Sequence, residues 1–372
     1  MLKSVEVLEP APDGRLTEPI IGPGGVPVTA EGAPTSPRLV RRTLTLDDGH
    51  QVCLAVCGRG VPLVLVHGFS AEGLLYAQTL SRLVSMGFKV VALDAAGHGG
   101  TQGLPTGGRN LGAYTRLLGR ALDALGIERA VLAGHSMGGR LVTELAAVEP
   151  ERAIAVVLLD AIVGDTWDRM VNVFRVAPPL MAGLAAVLAA DTVSTVPVLH
   201  DRRQAAKLGR LVAPVIVGHL RRPWRMIGPG ISILRSGGSR WMLERIAAER
   251  IPLVAVHADR DLVVPLSTAA SAARRARGEL VTVHRASHSW LLKDPETLPA
   301  IIAELRGGRL GAAIRTAVVT AGLDPDQASD DALESAFYAP DALVVALTPE
   351  PHGAVSAATP RPPRYRWTIS SG

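Results

Sequence analysis

Short, continuously apolar segments alternate with longer segments of helical periodicity through most of this chain of 372 residues. The apolar segments have the length of strands, as in PLVLV at 62–66, VLAG at 131–134 and AVVLL at 155–159. Strands that are apolar on both faces are typical of parallel sheets covered by helices. The segments between them, such as 71–87 and 110–126, have the spacing of crossover helices. The alternation predicts an α/β fold with a mostly parallel central sheet flanked by helices.

One long segment interrupts this alternation after the sixth predicted strand. Residues 161–247 contain no clear strand, only apolar helical stretches and a basic segment, and the alternation resumes at 251–261. We therefore expect a helical cap inserted into the sheet domain. The predicted organisation is a flexible N-terminal arm at 1–38, an α/β core at 39–160 and 248–308, the cap at 161–247, a C-terminal helical extension at 309–349 and a disordered tail at 350–372.

The pentapeptide GHSMG places Ser136 between Gly134 and Gly138, directly after a predicted strand and before a predicted helix. This context is that of a nucleophile elbow, whose tight turn needs small residues two positions before and after the serine. The turn exposes the hydroxyl above the carboxyl end of the sheet. The N-terminus of the next helix points at the same spot and favours an oxyanion.

An oxyanion hole needs two N–H donors that converge on the oxygen of the substrate carbonyl. Met137 follows the candidate nucleophile directly and is the first predicted donor. The second should come from the loop HGFS at 67–70, where Phe69 is the preferred donor and Ser70 the less favoured substitute.

A serine hydroxyl is a poor nucleophile and needs a base, which an acid must in turn orient. Among ten histidines, His288 follows the carboxyl end of the last predicted core strand, whereas His135 adjoins the serine and is expected to point away. The stretch HADRD offers Asp259 and Asp261 just after another strand. We prefer Asp261 because it precedes the apolar stretch LVVP, and Asp259 and the more distant Asp160 remain alternatives.

With these motifs the chain resembles the α/β-hydrolase superfamily, in its serine-nucleophile, capped, esterase- and lipase-like branch. The resemblance runs from about Arg41 to Arg306 and rests on LVLVHGF, LDAAGHGG, AGHSMGG, HADRDLVVP and SHSWLLKDPE. It implies Ser136 as nucleophile, Asp261 as acid and His288 as base, with Phe69 and Met137 as oxyanion donors. The motifs are specific for the superfamily and not for any substrate.

We expect a serine hydrolase that cleaves carboxylic esters with a hydrophobic acyl or alcohol group through an acyl-enzyme. Two alternatives remain open at this point. One is a C–C bond hydrolase, a thioester hydrolase or an acyltransferase of the same fold, and the other is a non-catalytic small-molecule receptor, because fold alone does not establish function.

The sequence predicts no cofactor and no metal, since it lacks a phosphate-binding loop and a Cys/His set with zinc-ligand spacing. It predicts no nucleic-acid partner either, because no basic run has interleaved aromatic residues. Cys53 and Cys57 would lie too far apart on one strand for a disulfide, which favours free thiols and a cytoplasmic location.

The predicted cap carries the strongest charge imbalance of the chain. Residues 201–250 hold eleven Lys and Arg against three Asp and Glu, a local balance of 11 − 3 = +8. These cations could attract an anionic head group, coenzyme A or a membrane surface, or they could form a solvated outer face. The aliphatic stretches of the cap would suit an apolar ester.

Overall fold

The computed structural model describes residues 5–6, 40–69, 71, 73–194, 224–347 and 361–372. Within these ranges one sheet of ten strands forms the centre of the molecule. The strands are β1 (Val5–Glu6), β2 (Val40–Thr45), β3 (Gln51–Cys57), β4 (Val61–Val66), β5 (Phe88–Leu93), β6 (Ala130–His135), β7 (Ala153–Leu159), β8 (Leu253–Ala258), β9 (Glu279–Val283) and β10 (Trp367–Ser371).

The sheet is parallel at its centre and antiparallel at its two edges. Its order is β1-β2-β3-β5-β4-β6-β7-β8-β9-β10. The pairs from β5 across to β9 are parallel, and the outer pairs at both edges are antiparallel. Strands β4, β6, β7 and β8 are buried along their whole length, as expected for a sheet covered on both faces. The predicted fold class is confirmed.

Helices follow the parallel strands and cover the sheet. Those of the described ranges are α1 (Ala77–Val84), α2 (Leu111–Leu125), α3 (Met137–Val148), α4 (Asp165–Val176), α5 (Pro178–Ser194), α6 (Trp224–Arg235), α7 (Arg240–Ala248), α8 (Leu266–Ala276), α9 (Trp290–Lys293), α10 (Thr297–Leu305), α11 (Arg309–Thr320), α12 (Asp330–Phe337) and α13 (Leu343–Ala346). One group packs α2, α3, α7 and α8 together, and a second packs α1, α10 and α11. The carboxyl ends of the parallel strands meet at one edge of the sheet, which brings the loops after them together.

The segment after β7, the sixth strand predicted from the sequence, is helical wherever it is described. It contains α4, α5, α6 and α7. Residues 195–223 carry much of the basic segment and lie outside the described residues, so the predicted basic surface stays a prediction. No helix in the described ranges is long and apolar enough to cross a bilayer.

The two ends of the chain differ from the sequence expectations. Of the predicted arm, only Val5–Glu6 belongs to the described residues, and it pairs with β2. The prediction of a disordered tail is wrong for residues 361–372, because Trp367–Ser371 pairs antiparallel with β9 over five residues. Prolines and arginines directly precede the short β-prone run WTIS, so the composition of this segment did not indicate a strand. Residues 348–360 lie outside the described residues.

Candidate active site

Ser136 occupies the turn between β6 and α3 in a backbone conformation that few side-chain-bearing residues adopt. Its φ is +50° and its ψ is −114°. Its N–H donates to the carbonyl of Leu159 at 2.9 Å, and its own carbonyl accepts from Gly139 at 3.1 Å and from Ile162 at 3.2 Å. These three backbone hydrogen bonds hold the strained residue in place.

The glycines two positions before and after Ser136 are required by close backbone approach. A Cβ on Gly134 would overlap the carbonyl of Gly138. A Cβ on Gly138 would overlap the carbonyl of Val66 and lie 2.6 Å from the oxygen of His67. Backbone atoms in a buried sheet cannot move aside, so both positions exclude any side chain. The elbow predicted from the sequence is therefore present as a turn.

The loop that carries the predicted second oxyanion donor lies directly beside the serine. A Cβ built on Gly68 would lie 3.0 Å from Cβ of Ser136. Phe69 follows in the chain, is half-buried and lies with its ring 6.3 Å from that of His98. Met137 is fully buried in the first turn of α3, where backbone N–H groups have no acceptor within the helix. Ser70 lies outside the described residues.

His288 and Asp261 are joined by a short hydrogen bond. Nδ1 of His288 lies 2.7 Å from Oδ2 of Asp261. The other carboxylate oxygen accepts from the N–H groups of Val263 and Val264 at 2.7 and 2.8 Å. Since the carboxylate accepts, Nδ1 carries the proton and Nε2 has a free lone pair. Nε2 is buried and has no hydrogen-bond partner within the described residues.

The electrostatics of this pair favour a charged acid and a basic imidazole. Burial alone would raise the pKa of Asp261, but the charge and hydrogen bond of His288 outweigh it and hold that pKa below its usual value. Burial likewise opposes the charged form of His288, and Asp261 outweighs it, so the pKa of His288 is raised. Ser136 is 5% exposed and His288 is 1% exposed, so both residues are shielded from bulk water.

The two alternative carboxylates have other partners. Asp259 accepts from the N–H of Arg285 at 2.7 Å and faces Nδ1 of His284 at 3.3 Å on the surface. Asp160 is fully buried, accepts from the N–H of Ala258 at 2.8 Å and accepts from Nε1 of Trp290 at 2.7 Å. Of the three candidate acids, Asp261 is the one hydrogen-bonded to His288.

The expectation that His135 points away from the site is wrong. Its ring centroid lies 4.9 Å from that of His288, and its Nε2 lies 3.2 Å from the carbonyl oxygen of His288. Its Nδ1 lies 2.9 Å from the hydroxyl of Tyr76. Burial, with His288 nearby, lowers the pKa of His135 to about 3, so this ring is uncharged. Successive side chains of a strand point to opposite faces, and the side chain of His135 points toward residues 284–289, the histidine loop that carries His288.

Sequence reasoning also missed a contact between the cap and the histidine loop. Oδ2 of Asp191, near the end of α5, accepts from the N–H of Ser289 at 2.8 Å. The hydroxyls of Thr192 and Ser289 lie 3.4 Å apart. The charge of Asp191 adds to the factors that raise the pKa of His288. No sequence signal points to this contact, because it depends on where the inserted helix docks.

The described residues thus bring together a strained serine, an oriented imidazole with a free lone pair, a buried carboxylate, the loop that carries Phe69 and the N-terminus of α3. The preferred site residues Ser136, His288, Asp261, Phe69 and Met137 lie in this one region, whereas the alternative acid Asp259 faces His284 on the surface. Such a set can take a proton from a hydroxyl and stabilise an oxyanion. No hydrogen bond joins Oγ of Ser136 to His288 within the described residues. Hydrogen bonds of this kind are often long in the absence of substrate.

The chain belongs to the alpha/beta hydrolase fold family, which matches residues 61–295. A protein of Mycobacterium phage D29, described as a candidate non-heme haloperoxidase, is 34% identical over 269 residues, which cover 70% of this chain and 93% of the phage protein. A monoacylglycerol lipase of Mycolicibacterium smegmatis is 29% identical over 213 residues, which cover 56% of this chain and 72% of the lipase.

Solved structures share the fold at lower identity. An esterase from Exiguobacterium antarcticum superposes with a TM-score of 0.56 at 16% identity, covering 72% of this chain and 99% of the esterase. This similarity extends to the fold alone. The chain is therefore an alpha/beta hydrolase with esterase- and lipase-like relatives.

Proposed function

We propose that this protein is a carboxylic ester hydrolase in which Ser136 is the nucleophile, His288 the general base and Asp261 the acid. The hydrogen bond from Nδ1 of His288 to Asp261 carries the proposal, because it leaves Nε2 unprotonated and able to accept a proton. Phe69, in the loop after β4, and Met137, the first residue of α3, supply the oxyanion donors on either side of the serine.

In the proposed reaction Oγ of Ser136 attacks the ester carbonyl while Nε2 of His288 accepts the hydroxyl proton. The carbonyl oxygen becomes an oxyanion held by the two backbone N–H groups, each contributing about 3–4 kcal/mol to the lowering of the barrier. His288 then gives the proton to the leaving alkoxide, and an acyl-enzyme remains. Water, deprotonated by the same imidazole, releases the acid and restores the serine.

Apolar residues of the cap favour an ester with a hydrophobic part. Trp167, Val171, Phe174 and Ile233 are buried where α4 and α6 meet the core. Helix α5 has no charged residue before Asp191. Since α5 contacts the residue after His288 through Asp191, an apolar substrate group would lie against its uncharged part.

The test is hydrolysis of p-nitrophenyl esters from acetate to palmitate by the wild type and Ser136→Ala. We expect turnover by the wild type with an optimum chain length, and none above the uncatalysed rate by Ser136→Ala. Ser85→Ala is a matched control, because its hydroxyl contacts only the exposed carbonyl of Arg82 and its activity should be unchanged. Near-normal turnover by a folded Ser136→Ala protein would contradict the proposal.

A second candidate reaction is transfer of the acyl group to an acceptor other than water. The observation that favours it is the burial of Ser136 and His288, which limits access of bulk water. Adding alcohols, thiols or hydrogen peroxide to the same assay distinguishes the two, because transfer yields a new acyl product and hydrolysis yields the free acid.

A serine-directed phosphonate that fails to label Ser136 would instead favour a non-catalytic receptor.

A further inference from the structure

Three buried ionisable side chains lie together beneath the site, and the proposed mechanism uses only one of them. Asp160, His257 and Asp261 each offer an oxygen or nitrogen atom within 4.8 Å of the others. Asp160 directly follows β7, His257 lies in β8 and Asp261 follows β8. All three are buried, so their protons must be shared among themselves or with the backbone.

The hydrogen bonds of His257 fix its tautomer. Its Nε2 lies 2.8 Å from the carbonyl oxygen of Val264. A carbonyl can only accept, so Nε2 carries a proton. Nδ1 has no hydrogen-bond partner within the described residues and lies 3.9 Å from Oδ1 of Asp160. In the neutral ring, Nδ1 is a buried acceptor that faces a carboxyl group.

Asp160 lacks the contacts that keep Asp261 ionised. Each oxygen of Asp160 accepts one neutral donor, the N–H of Ala258 or Nε1 of Trp290. Asp261 has two backbone donors on one oxygen and the imidazole of His288 on the other. When two carboxylates are buried side by side, the one with weaker partners takes a proton. Burial, followed by the charge of Asp261, raises the pKa of Asp160 well above its usual value.

We propose that Asp160 and His257 share one proton, so that the pair is neutral and, of the two buried carboxyls beside His288, only Asp261 carries a charge. The inference rests on the proposed role of His288 as base. Small movement from 3.9 Å would let Oδ1 of Asp160 donate to Nδ1 of His257. Asp160 is then a positioning residue: it holds Trp290, two residues after His288, without adding charge to the base.

Several titratable side chains surround Asp160 and His257, and they come from different elements of the fold. Asp160 is faced by Asp261, His288 and the hydroxyl of Tyr76, and His257 is faced by Asp261 and His288. His288 is also faced by Asp191 from the cap and by the uncharged His135. The protonation of Asp160 therefore decides whether one or two buried negative charges act on the catalytic imidazole.

The first experiment is the pH profile of kcat/KM for Asp160→Asn. The amide has the size and the zero charge of the protonated carboxyl, and asparagine tolerates the positive φ of 45° at this position. We expect the acid limb to stay within about 0.3 pH units of the wild type. If Asp160 were ionised, the variant would remove a negative charge near His288, and the midpoint of the acid limb would move down by about one pH unit or more. That result would overturn the proposal.

A companion variant separates charge from packing. Trp290→Phe removes the donor to Oδ2 of Asp160 and leaves the carboxyl in place. A shared proton predicts an acid limb at the wild-type position even if kcat falls. An ionised Asp160 that loses this donor would bind a proton more readily, and the limb would move down.

The second experiment needs no substrate, so its result does not depend on the ester hydrolase proposal. Nitrogen-15 resonances of His257 in the wild-type protein, assigned with His257→Gln, report the proton on each ring nitrogen. We expect a protonated Nε2 and an Nδ1 that is hydrogen-bonded or protonated near neutral pH. An Nδ1 chemical shift typical of an unprotonated nitrogen without a hydrogen bond would overturn the proposal.

Discussion

Asp261→Asn tests the geometry of the proposed acid by changing one atom. Oδ1 of Asp261 accepts two backbone N–H groups, from Val263 and Val264. The oxygen of the amide must remain there, because an NH₂ group would face two donors. The amide NH₂ is therefore turned toward Nδ1 of His288 and donates to it. The imidazole must then carry its proton on Nε2, where it cannot accept the proton of Ser136.

The size of the loss in kcat/KM follows from two changes: the imidazole loses its reactive tautomer, and the imidazolium loses the negative charge that stabilises it. We expect kcat/KM to fall by about 10³- to 10⁴-fold, which corresponds to about 4–5.5 kcal/mol in the barrier. The variant also removes the group that raises the pKa of His288. Since the base must be unprotonated, the wild-type activity declines as pH drops below this raised pKa, and residual activity of the variant should persist to lower pH.

The assay is hydrolysis of the best p-nitrophenyl ester, with thermal unfolding measured on the same samples. Asp259→Asn is the matched control, because Asp259 also follows β8 and also faces a histidine, but on the surface. We expect its kcat/KM to stay within about twofold of the wild type. The reasoning is refuted if Asp261→Asn keeps activity within tenfold of the wild type, or if Asp259→Asn loses as much.

Three further predictions concern the elbow and the cap. Ser136→Gly should be more stable than Ser136→Ala by about 1 kcal/mol in denaturant unfolding, because glycine relieves the positive φ, and both should be inactive. Gly138→Ala should lower the free energy of unfolding by at least about 4 kcal/mol or prevent folding. Gly183→Ala, with open space around its Cβ, should raise it by up to about 1 kcal/mol; equal melting temperatures of the two variants would contradict this. Asp191→Ala should lower kcat and move the acid limb of kcat/KM down by about 0.3–0.5 pH units, because it frees Ser289 and removes a charge near the base; an unchanged profile would show that the contact is without effect.

The fold and the assembly of the site could be predicted from local sequence patterns. Apolar strand-length runs predict a parallel sheet, and parallel strands bring the residues after their carboxyl ends together. Ser136 follows β6, Asp261 follows β8 and His288 follows β9, so topology alone places them near one another. The preference for Asp261 over Asp259 rested on the apolar run after it, and the backbone donors of that run now bind its oxygen.

What could not be predicted depends on tertiary placement. The direction of His135 is set by the packing of Tyr76 and the histidine loop, which lie far away in sequence. The contact of Asp191 with Ser289 requires the docked position of α5. Strand β10 forms because β9 offers an open edge, and a composition rich in proline gave no sign of that partner.

The insertion between β7 and β8 has a consequence for the order in which the molecule is made. These two strands are neighbours in the sheet, yet residues 160–252 separate them in the chain. During synthesis the strands up to β7 and the elbow leave the ribosome first, and residues 261 and 288 follow roughly ten seconds later. Through that interval the nascent chain holds Ser136 without the proposed acid and base, so the proposed hydrolase would be inactive until β8 and β9 have been made.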